Sequence, residues 1–475
     1  MKRLFIVFIF NGLLLIPSTR DCFGQNITWQ RIYRNPLSND AVGYDVCQAD
    51  ANNFYIVGIV APMLRYIYVL KINQWGDTIW TRILGFGEAL GVASSNDGGC
   101  VFTGTSSSAF AIKIKPNGDT AWTRSYTGEI CYDIKKTPDN GYILCGDKRN
   151  GFIRDGYICK IDSSGDVQWE RLYSNASFMT FQSVNLAIDS NGYVIGGATN
   201  SFGHDISLFL KINNNGDTLW QKTYSLGINS TIWSLTNNNT GYFLSGTTYL
   251  GIDSTTIFTV KVDLSGNLVN SKIFPSNFQT TPRIVNGTNN KFYLSFHAFI
   301  ANPPRYIAKI FSLDSNLNTI KQVLLIPDTN SLMLYSLFRI PNSTDIIGCG
   351  NTDQYQAAST DIYGVRLDSA LNPPPPIAIK IISSQIPNGL KLYQNYPNPF
   401  NLSTIISFEL VKASNVKLLL YNVLGEEIKT ALNEHQKAGY YRLTLRMNNY
   451  SSGVYFYRFI VDGSTIGTKK LILIK

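Results

Sequence analysis

KINNNGDTLW, from Lys211 to Trp220, decides how this chain is read. An apolar run, SLFLKI from Ser207, enters it, and a second run, WQKTY, leaves it at Trp220. Between them Asn, Gly and Asp supply the positive φ angles of a tight turn, so the stretch predicts a β-hairpin. The pattern recurs as KINQWGDTIW ending at Trp80, KIKPNGDTAW at Trp122 and KIDSSGDVQW at Trp169. KVDLSGNLVN ending at Asn270 and SLDSNLNTIK ending at Lys321 are decayed copies, and RLDSALN from Arg366 is a truncated one. WQRIY from Trp29 is the tail of a unit without its beginning. The repeat has a period of about 50 residues.

A second signature falls midway through each unit: FYIVG at Phe54, CVFTG at Cys100, YILCG at Tyr142, YVIGG at Tyr193, YFLSG at Tyr242, FYLSF at Phe292 and DIIGCG at Asp345. Each unit then reads as four short strands, and a four-stranded unit repeated around a ring is a β-propeller. The expected fold is all-β, with seven blades over residues 26–372. WQRIY from Trp29 closes the last blade, which removes exposed sheet edges. The repeated Trp29, Trp80, Trp122, Trp169 and Trp220 are read as blade-to-blade core rather than as ligand platforms, because so large a side chain is needed inside.

The run Pro373–Pro376 cannot continue a ladder and predicts an extended linker over residues 373–385. Beyond it, residues 386–475 alternate apolar and polar in short runs punctuated by Gly425, Gly439, Gly453 and Gly463. That pattern predicts a small immunoglobulin-like β-sandwich. It opens on NYPNPFN, where Pro fixes φ and Asn tolerates the bend, with Tyr396 and Phe400 expected to pack on the first strands.

Tyr396, Pro397, Asn398, Pro399, Phe400 and Asn401 are followed in order by LYNVLGEEI around Gly425, AGYYRLTL around Gly439, SSGVYFYRF around Gly453 and Tyr455, and a terminal KKLILIK. This series resembles the type A C-terminal sorting domain of the type IX secretion system of Bacteroidetes and related phyla. The resemblance implies export in two steps, cleavage of the domain on export, attachment to surface lipopolysaccharide, and the type IX machinery as a partner. The repeats are similar to those of secreted cargo propellers in the same phyla and to the Trp-containing repeats of quinoprotein-like propellers, a likeness that bears on architecture rather than activity.

The N-terminus agrees with export. Lys2 and Arg3 precede an apolar run from Leu4 to Ile16, too short to span a bilayer, so residues 1–24 read as a signal peptide. Thr19, Arg20 and Asp21 before Cys22 argue against a lipoprotein signal. The expected location is the medium or the outer cell surface, with no transmembrane segment. Residues 25–376 hold 26 basic and 26 acidic residues, whereas residues 377–475 hold 12 and 5. The ring therefore has no bulk electrostatic drive toward nucleic acid. The basic tail suits an anionic partner such as surface polysaccharide, or is a solvated face.

Signals for chemistry are sparse. His204, His297 and His435 are the three histidines, and no HExxH, GxSxG or P-loop pattern occurs. No catalytic residue, metal ligand or cofactor is assigned. NNNGDTLW superficially resembles the Asp box of sialidases but is offset by one residue, and is read as a structural turn. Asp77, Asp119, Asp166 and Asp217 offer too few carboxylates per turn for Ca²⁺. DTI at Asp77, DTA at Asp119 and DTL at Asp217 also fit the O-glycosylation sites that Bacteroidetes use. Cys47, Cys100, Cys131, Cys145, Cys159 and Cys349 fit no disulfide framework, and buried free thiols are expected. Of these, Cys145 and Cys159 lie on strands expected to pair. The function read from all this is a secreted binding module for a protein or glycan ligand. The alternative is an extracellular propeller enzyme, a glycan hydrolase or lyase or a quinone-dependent dehydrogenase, which should show charged side chains converging on the central channel.

Overall fold

The computed structural model describes residues 28–474 except 34–39, 62, 175–177, 202, 250–254, 277–279, 302–303, 326–330, 354–359, 373–378, 384–386, 402 and 448–449. The signal peptide and the Pro373–Pro376 run lie outside the described residues. Every described element is a β-strand. Among the described residues no helix is long and apolar enough to cross a membrane.

Seven four-stranded antiparallel sheets occupy residues 41–86, 88–125, 130–173, 179–224, 228–275, 283–325 and 332–367, the last completed by Trp29–Tyr33. The first strand of each sheet packs against the first strand of the next, and Leu332–Arg339 returns to Ala41–Asp50, so the ring closes. The described sheets therefore form a β-propeller. Trp29 stands opposite Arg366 and Tyr33 opposite Ile362 in the closing pair. Between neighbouring sheets lie continuous apolar layers. One joins Val194 and Phe209 to Ile232, Tyr242 and Phe258. Each such fully buried side chain contributes about 1.5–3 kcal/mol.

The glycine of the FYIVG-type signature has a steric cause. The innermost strand bulges after Gly43, Ala89, Cys131, Phe181, Ile232 and Leu334. The bulge folds a carbonyl over the neighbouring strand. A Cβ on Gly58 would lie 1.8 Å from the Val42 oxygen, and one on Gly146 1.9 Å from the Ile130 oxygen. Only glycine permits that approach. The sixth unit carries Phe296 there, and its innermost strand, Arg283–Asn286, is short and pairs in unbroken register.

A second recurring contact ties turns at one end of the ring. The lysine that opens the KIxxxGD pattern pairs with the aspartate of the preceding turn in its own sheet: Lys113 with Asp97 at 2.9 Å, Lys160 with Asp139 at 2.7 Å and Lys211 with Asp189 at 2.6 Å. Arg366 and Asp345 repeat it at 2.8 Å in the last sheet.

The tail is an immunoglobulin-like sandwich of two four-stranded sheets sharing a core that includes Phe408, Leu418, Tyr441 and Phe459. Its first strand, Ile379–Ser383, falls inside the stretch expected to be linker and pairs with Gly439–Arg446. The β-branched run IKIIS suits a strand and outweighs the preceding prolines. The six described cysteines are buried and free. Cys145 stands opposite Ile158 and Cys159 opposite Leu144, so the two thiols face opposite sides of their sheet.

Candidate functional site

Except in the second unit, where the place is held by Gly91, each innermost strand sends one polar residue toward the ring centre, the residue after its bulge where it has one. In the first and third units this is Asp45 and Asp133, in the fourth, fifth and seventh Ser183, Ser234 and Ser336, and in the sixth Arg283 at the matching place. With Lys135 they line a central cavity of about 300 Å³. An innermost strand is a sheet edge whose free N–H groups need partners. The bulge residues supply them. The Val92 N–H donates to Asp45 at 2.9 Å, the Val184 N–H to Asp133 at 3.0 Å and the Ile284 N–H to Ser234 at 3.1 Å, each crossing to the previous unit.

Asp133 pairs directly with Lys135, whereas Asp45 and Arg283 are held by neutral groups. Asp133 accepts from Lys135 Nζ at 2.6 Å, the Ile134 N–H at 2.8 Å, Ser183 Oγ at 3.1 Å and the Val184 N–H. Asp45 accepts from Ser336 Oγ at 2.6 Å as well as from Val92. Arg283 donates from Nε to the Tyr335 carbonyl at 2.8 Å and from Nη1 to the Trp233 carbonyl at 3.1 Å. Burial pushes the Asp45 carboxyl up, against the pull of Lys135, Ser336 and Arg283. Burial would lower Lys135, but Asp133 and Asp45 outweigh it and hold the ammonium above its ordinary value. Convergent charge, the feature expected of an enzyme, is thus present. Both carboxylates are nevertheless occupied as acceptors. The sequence reading missed this set because bulge positions become visible only when the units are aligned as YD, LG, YD, QS, WS, PR and YS.

The repeated tryptophans sit at the seams between units. Trp29 is buried, whereas Trp80, Trp122, Trp169 and Trp220 are half-buried. Trp29 Nε1 donates to the Gln74 carbonyl at 2.9 Å, Trp80 to Pro116 at 3.1 Å and Trp169 to Asn214 at 3.0 Å, each on the next unit's hairpin. The decayed copies keep the bond with other donors: Asn270 reaches the Asn316 carbonyl at 2.7 Å and Lys321 the Ala370 carbonyl at 2.5 Å. The hairpins themselves are Asx turns. Asn73 Oδ1 accepts from the Trp75 and Asp77 N–H groups, as Asn213 does from Asn215 and Asp217. Asp119 accepts from Asn117 and Asp166 from Arg124. Among the described residues no cluster of three or more His, Cys, Asp or Glu is placed to hold a metal. His204 is exposed, His297 is buried against Thr280 at 3.0 Å, and His435 stacks on Trp75 at 5.2 Å.

In the tail, NYPNPFN joins the two sheets, with Pro397 and Pro399 both following cis peptide bonds. Asn395 is buried, its N–H donating to the Tyr457 hydroxyl at 2.8 Å and its Nδ2 to the Pro397 carbonyl at 3.1 Å. Asn398 Oδ1 accepts from the Ile472 N–H at 2.9 Å, and the Phe400 N–H donates to the Ile472 carbonyl at 3.0 Å, so the stretch holds the terminal strand. Phe400 enters the core as expected. Tyr396 does not: it is 79% exposed, because its backbone pairs with Ile405 and turns the ring outward. Asn401 is exposed. Gly425 ends an Asx hairpin in which Asn422 Oδ1 accepts from the Leu424 and Glu426 N–H groups, and leaves Val423 and Leu424 exposed. Gly439 is buried, and Gly453 and Tyr455 are half-buried, the Tyr455 hydroxyl donating to the Ser451 carbonyl at 2.8 Å. Ser403 begins its strand, Tyr421 ends one, Gly453 begins one and Leu473 ends one at the same end of the sandwich. NYPNPFN, the Asn422–Glu426 hairpin and the Ser451–Gly453 turn therefore share that end.

Residues 394–475 match the secretion system C-terminal sorting domain family. This tail makes the chain cargo of the type IX secretion system, directed to the cell surface or the medium. No curated protein matches the chain. Solved structures similar to it include a Bacteroides caccae protein of unknown function at 15% identity, covering 58% of this chain and 94% of that one with a TM-score of 0.36. The Dos1 propeller is similar at 10% identity, covering 70% and 85% with a TM-score of 0.43. Sqt1 from Chaetomium thermophilum is similar at 9% identity, covering 68% and 96% with a TM-score of 0.42.

Proposed function

We propose that this type IX cargo is a binding module: the ring, displayed on the cell or released, engages a protein or glycan through loops on one face. The occupied carboxylates of the channel support this reading over hydrolysis or elimination. A general base needs a free lone pair within reach of substrate, and Asp133 already accepts four hydrogen bonds. The test is a glycan and surface-protein binding screen of the ring, run beside turnover assays on the same glycans. Saturable binding without turnover supports the proposal; turnover abolished by Asp133→Asn overturns it.

We further propose that the export address is the shared end of the sandwich. Asn395 and Phe400 are spent on folding, whereas Tyr396, Val423 and Leu424 are exposed there and hold no core position. Exposed apolar side chains gathered at one end suit recognition by another protein. Domain limits of 26–372 for the ring and 379–475 for the tail go with this reading, and limited proteolysis with mass spectrometry checks them. Removing residues 379–475 should leave the ring inside a host that carries the type IX machinery; surface arrival of the truncated chain overturns the assignment.

A further inference from the structure

The hydrogen-bonding capacity at the centre of the ring is lopsided. Asp133 is filled by four donors, and each oxygen of Asp45 already holds one. The cations are not used up in the same way. Lys135 spends one N–H on Asp133 at 2.6 Å and reaches the Ile134 carbonyl only at 3.5 Å. Its side chain remains 40% exposed toward the cavity it lines. Arg283 has five N–H groups, and its bonds to Tyr335 and Trp233 occupy two. Among the described residues Nη2 has no protein acceptor. Lys136 and Arg339 line the same cavity, and among the described residues the buried Arg339 Nε has no partner. Six charged residues thus line about 300 Å³, four cationic and two anionic, with the Lys136 ammonium spent on Asn96.

A cavity with surplus donors, one filled and one half-filled carboxylate and a net positive lining selects a ligand that brings acceptors and negative charge. We propose that the channel is an oxyanion site, in which Lys135 and Arg283 hold the carboxylate or phosphate group of a small anion. Arg283 is suited to the task because its two backbone bonds fix the guanidinium plane and leave the Nη2 hydrogens for a planar or tetrahedral oxyanion. Lys135 is suited because its short bond to Asp133 anchors the ammonium while its other protons stay available. The site lies in the channel rather than on the loop faces, so its failure would leave the proposed binding role of those faces untouched.

The experiment measures thermal unfolding and calorimetric binding of the full chain with sodium phosphate or sodium acetate, at ionic strength held constant with sodium chloride. A saturable rise in the unfolding temperature beyond the chloride control is expected with at least one anion. The more effective anion identifies the group as phosphate or carboxylate. Lys135→Met, which removes a partly exposed side chain, should weaken binding about tenfold, the loss of one charge-assisted hydrogen bond. Arg283→Lys keeps the charge, loses the fork and should weaken it comparably. Absence of any rise beyond chloride for both anions overturns the proposal. So does an unchanged affinity in folded Lys135→Met.

Discussion

Trp29 stands opposite Arg366, joining the first described strand of the chain to the last strand of the ring. Around this pair the seam is drawn tight. The Trp29 indole donates to the Gln74 carbonyl, the Tyr33 hydroxyl donates to the Gly76 carbonyl at 2.9 Å, and the Arg366 guanidinium reaches Gln74 and Asp345. Trp29→Ala should cost about 3–5 kcal/mol by opening a cavity in the seam. Trp29→Phe should cost about 1–2 kcal/mol by losing the indole bond and some contact area. Urea unfolding followed by tyrosine and tryptophan fluorescence measures both. Equal costs would show that packing at the seam is unimportant.

Gly146 and Gly151 belong to one hairpin and predict costs of very different size. Alanine at Gly146 would place Cβ 1.9 Å from the Ile130 oxygen, so Gly146→Ala should destabilise by several times more than Gly151→Ala or prevent folding. At Gly151, φ is +64 and nothing lies within 4 Å, which leaves a backbone cost of about 1 kcal/mol. Soluble yield and unfolding midpoint of the two variants make the comparison.

The Lys160–Asp139 pair should respond asymmetrically. Lys160 Nζ is almost wholly buried and also donates to Gln168 at 2.8 Å, whereas Asp139 is half-exposed. Asp139→Ala strands a buried ammonium and should cost about 2–4 kcal/mol. Lys160→Met leaves a carboxylate that water can reach and should cost about 1 kcal/mol. Denaturant titration decides the order.

Acid should loosen the same turns. Burial works to raise the Asp97 and Asp139 carboxyls, but Ser95, Lys113 and Gly99 around the first, and Lys160, Thr137 and Gly141 around the second, outweigh it and bring both to about 2. A carboxyl lowered on folding stabilises the fold above its ordinary value, and that stabilisation drains away as pH falls toward 2. Stability should therefore fall between about pH 4 and pH 2. Solvent screening of these half-exposed groups keeps the change modest. Asp139→Asn should flatten the slope in an unfolding series over that range.

In the tail, Val423→Asp combined with Leu424→Asp should leave folding intact and reduce export, since both side chains are exposed at the shared end. Asn395→Ala should instead weaken the sandwich by about 1–3 kcal/mol, because Thr404 and Pro397 lose a buried partner. Circular dichroism of the purified tail and immunoblots of cell and medium fractions separate the two effects. Normal export of the double aspartate variant would remove that end as the address.

Much of the ring was legible because turn chemistry repeats in the chain. Gly76, Gly165 and Gly216 recur where a positive φ is required and where a neighbouring tryptophan leaves no room for Cβ. The channel was not legible. Asp45, Ser183 and Arg283 share a place in space but not a residue type, and a bulge shifts the alternation of the first two by one. Tyr396 was misread because an aromatic beside prolines resembles a packing residue, and only its pairing with Ile405 shows that its ring turns outward. Ile379–Ser383 was hidden by the prolines before it, although its own β-branched residues suit a strand.

The seam bonds have a consequence for how such a ring grows. Each one runs from the outermost strand of one unit to a carbonyl on the next unit's hairpin, and tryptophan, asparagine and lysine all serve as donor. Five of the seven described units therefore present the same socket and plug, whereas the Trp122 indole keeps the place with its N–H unpaired among the described residues. A gene segment encoding one unit, copied or lost in frame, would still meet compatible neighbours, and the circumference of the ring could change by whole units while its joints stayed the same.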